Sequence, residues 1–197
     1  MDNLLSVFLF TVVMTITPGP NNIMILASGL NFGIKRSIPH LLGIAIGFPM
    51  MLIAVGFGLE TAIKATPAIH TFVKIAGLGY LLFLAYKLFT TVKQKILGSG
   101  AKPLTFLQAV LFQWVNPKAW VMIFSGVGVF TTSANIQEAT LLLALSFFIA
   151  IFPCNGSWLF LGSQMKKLIK TDFHYKVFNR IMAILLLISV FPSVIEI

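Results

Sequence analysis

Lys118 is the one ionisable side chain that this 197-residue sequence places deep within an apolar run, directly after Asn116-Pro117. A charge at the centre of a bilayer costs roughly 2.5 to 3.5 kcal/mol on insertion scales, so it is expected to face a bundle interior and be paired or hydrated. No Asp or Glu lies inside an apolar run to receive it. Its partners must be backbone carbonyls, the amides of Asn21, Asn22 or Asn116, or a ligand carboxylate. The alternative is a lysine whose tip snorkels to the interface. Asn21 and Asn22 close a second such stretch, Thr17-Pro18-Gly19-Pro20-Asn21-Asn22, and Asn155 lies in a later run. An amide offers both donors and an acceptor, so Asn21, Asn22, Asn116 and Asn155 as a set could hold both ends of a zwitterion. Singly, each could equally be glue between helices. A half-helix starting after Pro20 would point free backbone donors and a positive dipole end at the break, which suits a carboxylate.

The elements that must position these residues are membrane helices. The chain is 58% hydrophobic and 10% charged, against roughly 45 to 50% and about 25% for soluble domains. Six apolar segments, each near the 20 residues of one crossing, run over about 4–28, 38–59, 71–88, 106–130, 138–162 and 177–195. Connections are short, and the longest polar one carries a Gly98-Ser99-Gly100 turn. Asp2 stands where a secretory signal would be basic, so residue 1 onward is expected to be retained. The net charge of +9 is dispersed between apolar runs, which argues for topology signals and against a nucleic-acid partner. Cys154 is alone; no internal disulfide or cysteine metal cage can form, and the residue reads as a small buried apolar one.

Basic residues gather in alternate connections: Lys35 and Arg36; Lys87, Lys93, Lys95 and Lys102; Lys166, Lys167, Lys170, Lys176 and Arg180. Opposite them are Lys64 and Lys74 with Asp2, Glu60, Glu138 and Glu196. The bias toward the cytoplasmic side predicts both termini outside.

Prolines interrupt the runs in a pattern. Pro18-Gly19-Pro20 breaks the first segment and Asn116-Pro117 the fourth, at similar depths, while Gly47-Phe48-Pro49 and Phe152-Pro153-Cys154-Asn155-Gly156 are expected to break the second and fifth. Three crossings is an odd number, so a second copy of a three-helix half must enter from the opposite face. Paired broken helices meeting near the midplane are how secondary transporters build substrate sites. The expected fold class is therefore an all-α integral membrane protein with a single transmembrane domain over 1–197. Its six helices form two inverted three-helix repeats, about 1–90 and about 103–197, with helices one and four Pro-broken.

Gly29, Gly33, Gly43, Gly47, Gly77 and Gly79 read as close-packing positions, and Arg36 and His40 as solvated or lipid-facing groups with a gate contact as the alternative. No metal spacing, buried acid pair or phosphate-cradling loop is present. Neither a cofactor nor ATP-driven transport is expected, and these residues do not identify a coupling ion. Two other readings are a membrane-embedded lipid-handling enzyme with a head group beside Lys118, and a scaffold subunit that transports nothing.

The Pro18-Gly19-Pro20-Asn21 and Asn116-Pro117-Lys118 pair, with the spacing Gly33, Arg36, Gly43, Gly47 and the run Gly79-Tyr80-Leu81, resembles the lysine/threonine exporter family, LysE or RhtB, over nearly the whole chain. Arg36-Ser37, Gly47-Phe48, Phe112-Gln113-Trp114-Val115-Asn116, and Asn155 with Trp158 look most like its cysteine and O-acetylserine exporter branch. The resemblance implies six crossings, an inner-membrane location, and efflux of amino acids or close derivatives driven by the proton gradient. It also implies site roles for Pro18, Gly19, Pro20, Asn21, Asn116, Pro117 and Lys118. Small transporters often dimerise, which leaves a homodimer open.

Overall fold

A computed structural model describes residues 2–59, 67–90, 102–130, 136–169 and 171–195. Of the positions used to read orientation, Glu60, Lys64, Lys93, Lys95, Lys170 and Glu196 lie outside the described residues. So do the side chains of Asp2, Lys74, Lys166 and Lys167, the Gly98-Ser99-Gly100 turn and the surroundings of Gly77.

The described residues form helices and contain no strand. In chain order they are α1 (Asp2–Ile16), α2 (Pro20–Phe32), α3 (Ile34–Ala54) with a π turn at Val55–Leu59, α4 (Pro67–Phe89), α5 (Phe106–Val115), α6 (Pro117–Phe130), α7 (Ile136–Leu168) and α8 (Asp172–Ile195). Among the described residues, Ile34–Gly58 and Ile136–Met165 are each long and apolar enough to cross a bilayer, and α1 with α2 would make a third span bent by 57°. Shorter apolar helices cover Leu78–Phe89, Phe106–Val115 and Pro117–Phe130. Large apolar side chains such as Leu5, Phe83, Leu107, Val129 and Leu145 point outward. Helices apolar on both their inner and outer faces are what a lipid solvent requires.

Both bends arise by one rule. The residue before a proline is pushed to extended backbone, while proline itself suits the first position of a helix, where its missing N–H costs nothing. Gly19 is extended (φ −175°, ψ 179°) and Pro20 opens α2. Asn116 is extended (φ −88°, ψ 108°) and Pro117 opens α6. The expected breaks in the second and fifth segments do not occur: α3 runs through Pro39 and Pro49, and α7 through Pro153. An interior proline removes one backbone bond, and the turns around Pro49 and Pro153 are held by packing. Phe48 lies against Phe147 with ring centroids 4.7 Å apart, and Cys154 and Asn155 are buried. The distortion in α3 comes instead at its end, where Gly58 takes φ 115°.

The long α7 is the central rod, packed against α1, α2, α3 and α6. Its crossing with α2 is backbone to backbone, since a Cβ on Gly29 would strike the Leu159 carbonyl and one on Gly162 the Leu26 carbonyl. Gly43 and Gly47 on α3 sit as closely against Phe106, Ala109 and Val110 of α5, the small-residue contact expected of membrane helices. Gly33 and Gly79 are not packing positions: each has open space around it, and Gly33 is present for its φ of 80° between α2 and α3. On one flank α4 packs on α8, and α8 reaches α2.

Candidate functional site

The two bends face each other. Lys118, at the first turn of α6, extends its ammonium to α1's end, donating to the Thr17 carbonyl, to Thr17 Oγ1 at 2.9 Å and to the Pro18 carbonyl at 3.4 Å. A Cβ on Gly19 would occupy the space of the Lys118 chain, so glycine there is what lets the lysine cross. The partners are thus backbone carbonyls, one of the possibilities the sequence left open, together with the Thr17 hydroxyl. Thr17 and Pro18 are exposed, while Gly19 and Pro20 are buried and Pro117 is half-buried.

A second tie joins the bends. Asn21 and Gln113 exchange hydrogen bonds in both directions: Asn21 Nδ2 donates to Gln113 Oε1 at 2.8 Å and Gln113 Nε2 to Asn21 Oδ1 at 3.2 Å. Gln113 also donates to the Ala109 carbonyl. Asn22 acts locally, with Nδ2 within 2.9 to 3.3 Å of the Thr15, Ile16 and Thr17 carbonyls. These carbonyls are ones that a helix end leaves without intrahelical partners. Asn155 of α7 donates to Asn22 Oδ1 at 3.3 Å, and Trp158 Nε1 caps the Ile16 carbonyl at 3.1 Å. Asn116 Oδ1 accepts from the Lys118 backbone N–H at 3.2 Å, which starts α6.

The structure therefore brings together Pro18, Gly19, Pro20, Asn21, Asn22, Asn116, Pro117, Lys118 and Asn155. Between them lies a hollow of about 20 Å³ lined by Thr15, Asn21, Asn22, Asn116, Lys118 and Asn155, with Phe48 and Met122 among its apolar walls. That is room for about one water. Thr15 Oγ1 is buried there without a hydrogen-bond partner. Sequence reasoning gave no role to Gln113, Thr15 or the indole of Trp158, because each is an isolated polar group in a helix that otherwise reads as packing, and it quoted Thr17 within the break without assigning it a contact. His40 is also misplaced by that reading: it is neither solvated nor lipid-facing but buried, at 1% exposure. Arg36 is exposed, its guanidinium 5.5 Å from the centre of the Phe32 ring.

The chain matches the family described as LysE type translocator over residues 12–191. Among curated proteins it is 31% identical over 189 residues to the cysteine/O-acetylserine efflux protein of Escherichia coli strain K12, covering 93% of each chain. It shows the same identity and coverage with the protein of that name in Shigella sonnei. No solved structure matches it. A match of this extent, on a helical chain whose two proline bends meet at Lys118, makes the chain a member of the LysE type translocators, membrane-embedded transporters and not enzymes.

Proposed function

We propose that this protein exports small neutral amino acids or their derivatives, of the cysteine or O-acetylserine kind, across the cytoplasmic membrane by alternating access. The observation that carries the reading is the Lys118 bridge to the Thr17 and Pro18 carbonyls. It puts a cation and a row of acceptors at one point, the two groups needed for the two ends of a zwitterion. In the arrangement described, the bends are closed on each other and the hollow behind them is too small for cargo. Export then consists of parting the α1–α2 bend from the α5–α6 bend, with the substrate carboxylate taking Lys118 and its ammonium the vacated carbonyls. Asn21, freed from Gln113, and the uncapped start of α2 supply further donors to the carboxylate.

The six-span, two-repeat arrangement belongs to the same reading. Its support is that the paired bends fall in the first and fourth apolar segments, and that the described ends of the basic connections converge. Lys87 and Lys102 line one cavity, and Arg180 lies 5.0 Å from the Phe89 ring. That end is the cytoplasmic one by charge bias, with both termini outside. A homodimer fits the exposure of Thr17 and Pro18, because irregular backbone does not face lipid uncovered. A proton gradient is the expected driving force, with one repeat rocking against the other.

Counterflow of radiolabelled cysteine and O-acetylserine in proteoliposomes, with pH set on each side, tests this. The wild type should exchange both and respond to an inward proton gradient, and Lys118→Met should fall at least about tenfold, as expected for losing hydrogen bonds to a charged group. Wild-type rates in a normally inserted Lys118→Met protein would remove the assigned site.

A further inference from the structure

All three tryptophans of the chain stand at the two breaks: Trp114 and Trp120 on either side of Asn116-Pro117, and Trp158 of α7 against the end of α1. A helix carbonyl is ordinarily met by the N–H four residues on, or three on in a tightened last turn. For the Ile16 carbonyl the residue four on is Pro20, which has no N–H. For the Trp114 carbonyl the residue three on is Pro117, and the N–H four on, that of Lys118, is donated to Asn116 Oδ1 at 3.2 Å. Each break therefore strands a carbonyl through its own proline. In both cases an indole supplies what the backbone withholds: Trp158 Nε1 donates to the Ile16 carbonyl at 3.1 Å and Trp120 Nε1 to the Trp114 carbonyl at 2.8 Å.

Both rings are held by what surrounds them. Trp158 is half-buried where the two hydrophobic clusters of the molecule meet, and it packs against both. Its neighbour Leu159 makes the close contact with Gly29 that joins α7 to α2. Trp120 stands edge-on to Trp114, with ring centroids 6.3 Å apart, and 5.6 Å from Phe124. These caps differ in kind from the ties between the bends. Trp158 fastens the end of α1 to α7, and through α7 to α2, while Trp120 fastens α6 to α5. Neither bond runs from one bend to the other, whereas those of Lys118 to Thr17 and of Asn21 to Gln113 do.

We propose that Trp120 and Trp158 are positioning residues for transport, one to each bend, whose indole N–H groups keep the bends bent after they part. Ile16 directly precedes Thr17, so fixing its carbonyl fixes the direction of the acceptor row that follows. Trp120 lies two residues after Lys118, so its bond holds the start of α6, and with it the lysine, against the end of α5. An uncapped carbonyl at membrane depth is costly, and a bend without its cap spends part of its time relaxed. The apparent affinity for cargo then falls in proportion to the fraction left competent, while each competent molecule turns over as before. The transport role rests on the export reading; the assignment of each cap to its own bend does not.

Two substitutions separate the N–H from the bulk of the ring. Trp→Phe keeps an aromatic ring and removes the donor, whereas Trp→His removes the benzene half and keeps a ring nitrogen where the indole has its own. In O-acetylserine counterflow with proteoliposomes, Trp120→Phe and Trp158→Phe should each raise KM about fivefold, the worth of one hydrogen bond, with the maximal rate per inserted protein within about twofold. The matching His variants should keep KM within about twofold of wild type. Unchanged KM in the Phe variants, or impaired His beside normal Phe, would make the rings packing groups and overturn the proposal. A second measurement needs neither cargo nor a stable His variant: the ultraviolet resonance Raman signal of hydrogen-bonded indole. Each Phe variant should lose one bonded indole, and Lys118→Met, in which a tie between the bends is cut, should keep both. Loss of either bond in Lys118→Met would show that the caps give way with that tie, which also overturns the proposal. If the wild type exchanges no O-acetylserine, the export reading fails, and the Raman signal alone decides whether each cap belongs to its bend.

Discussion

At the residue scale, the bends assign different duties to adjacent asparagines. Asn22 satisfies carbonyls at the end of α1 and is itself held by Asn155; Asn22→Ala should lower resistance to unfolding by about 1 to 3 kcal/mol, the range for stranded buried polar groups, read from denaturation in detergent. Gly19 has the opposite signature. Gly19→Ala meets the flexible Lys118 chain first, so thermal stability should barely change while exchange in proteoliposomes falls as for Lys118→Met. Equal losses of stability in both variants would show that Lys118 is a strut and no more. Lys118 and its asparagines were legible because a lone charge and clustered amides stand out in an apolar run. Gln113, whose side chain is their nearest counterpart on α5, was not, since one glutamine among Phe112, Trp114 and Val115 carries no signal until α2 is laid beside it. His40 was hidden for a related reason: next to Lys35 and Arg36 it reads as part of a wet rim, and only the fold turns it inward.

At the element scale, the prolines divide by context. Pro20 and Pro117 each follow an extended residue and open a new helix, whereas Pro49 and Pro153 sit within packed turns and leave α3 and α7 whole. Local sequence cannot separate these cases, because what decides is whether neighbouring helices hold the turn before the proline. Glycines divide in the same manner. Gly33→Ala places a side chain at φ 80°, ψ 173°, a region essentially reserved for glycine, and should cost about 1 to 3 kcal/mol with no change in neighbours. Gly29→Val and Gly162→Val instead drive a side chain into carbonyls of the facing helix and should abolish accumulation of the folded protein in membranes. Near-normal levels of either valine variant would mean that α2 and α7 do not cross this closely.

At the scale of the whole molecule, orientation is open to direct labelling. Cys154 is the sole cysteine, so a Cys154→Ala chain is a clean background. In it Glu138→Cys should react with an impermeant maleimide in intact cells, and Lys102→Cys and Lys176→Cys only after the membrane is opened. The reverse pattern would invert the topology. The apolar, helical character of the chain was readable from hydropathy alone, but which rods lie in the middle was not, since α7 gains its central place through two glycine contacts that composition does not weight. That seam has a mechanical consequence. Rods whose main chains touch cannot slide past one another without collision, so α2 and α7 must travel as a single stiff beam. Any parting of the molecule has to be taken up at joints made of side chains alone, and the amide handshake between Asn21 and Gln113 and the reach of Lys118 are the latches that would come undone first.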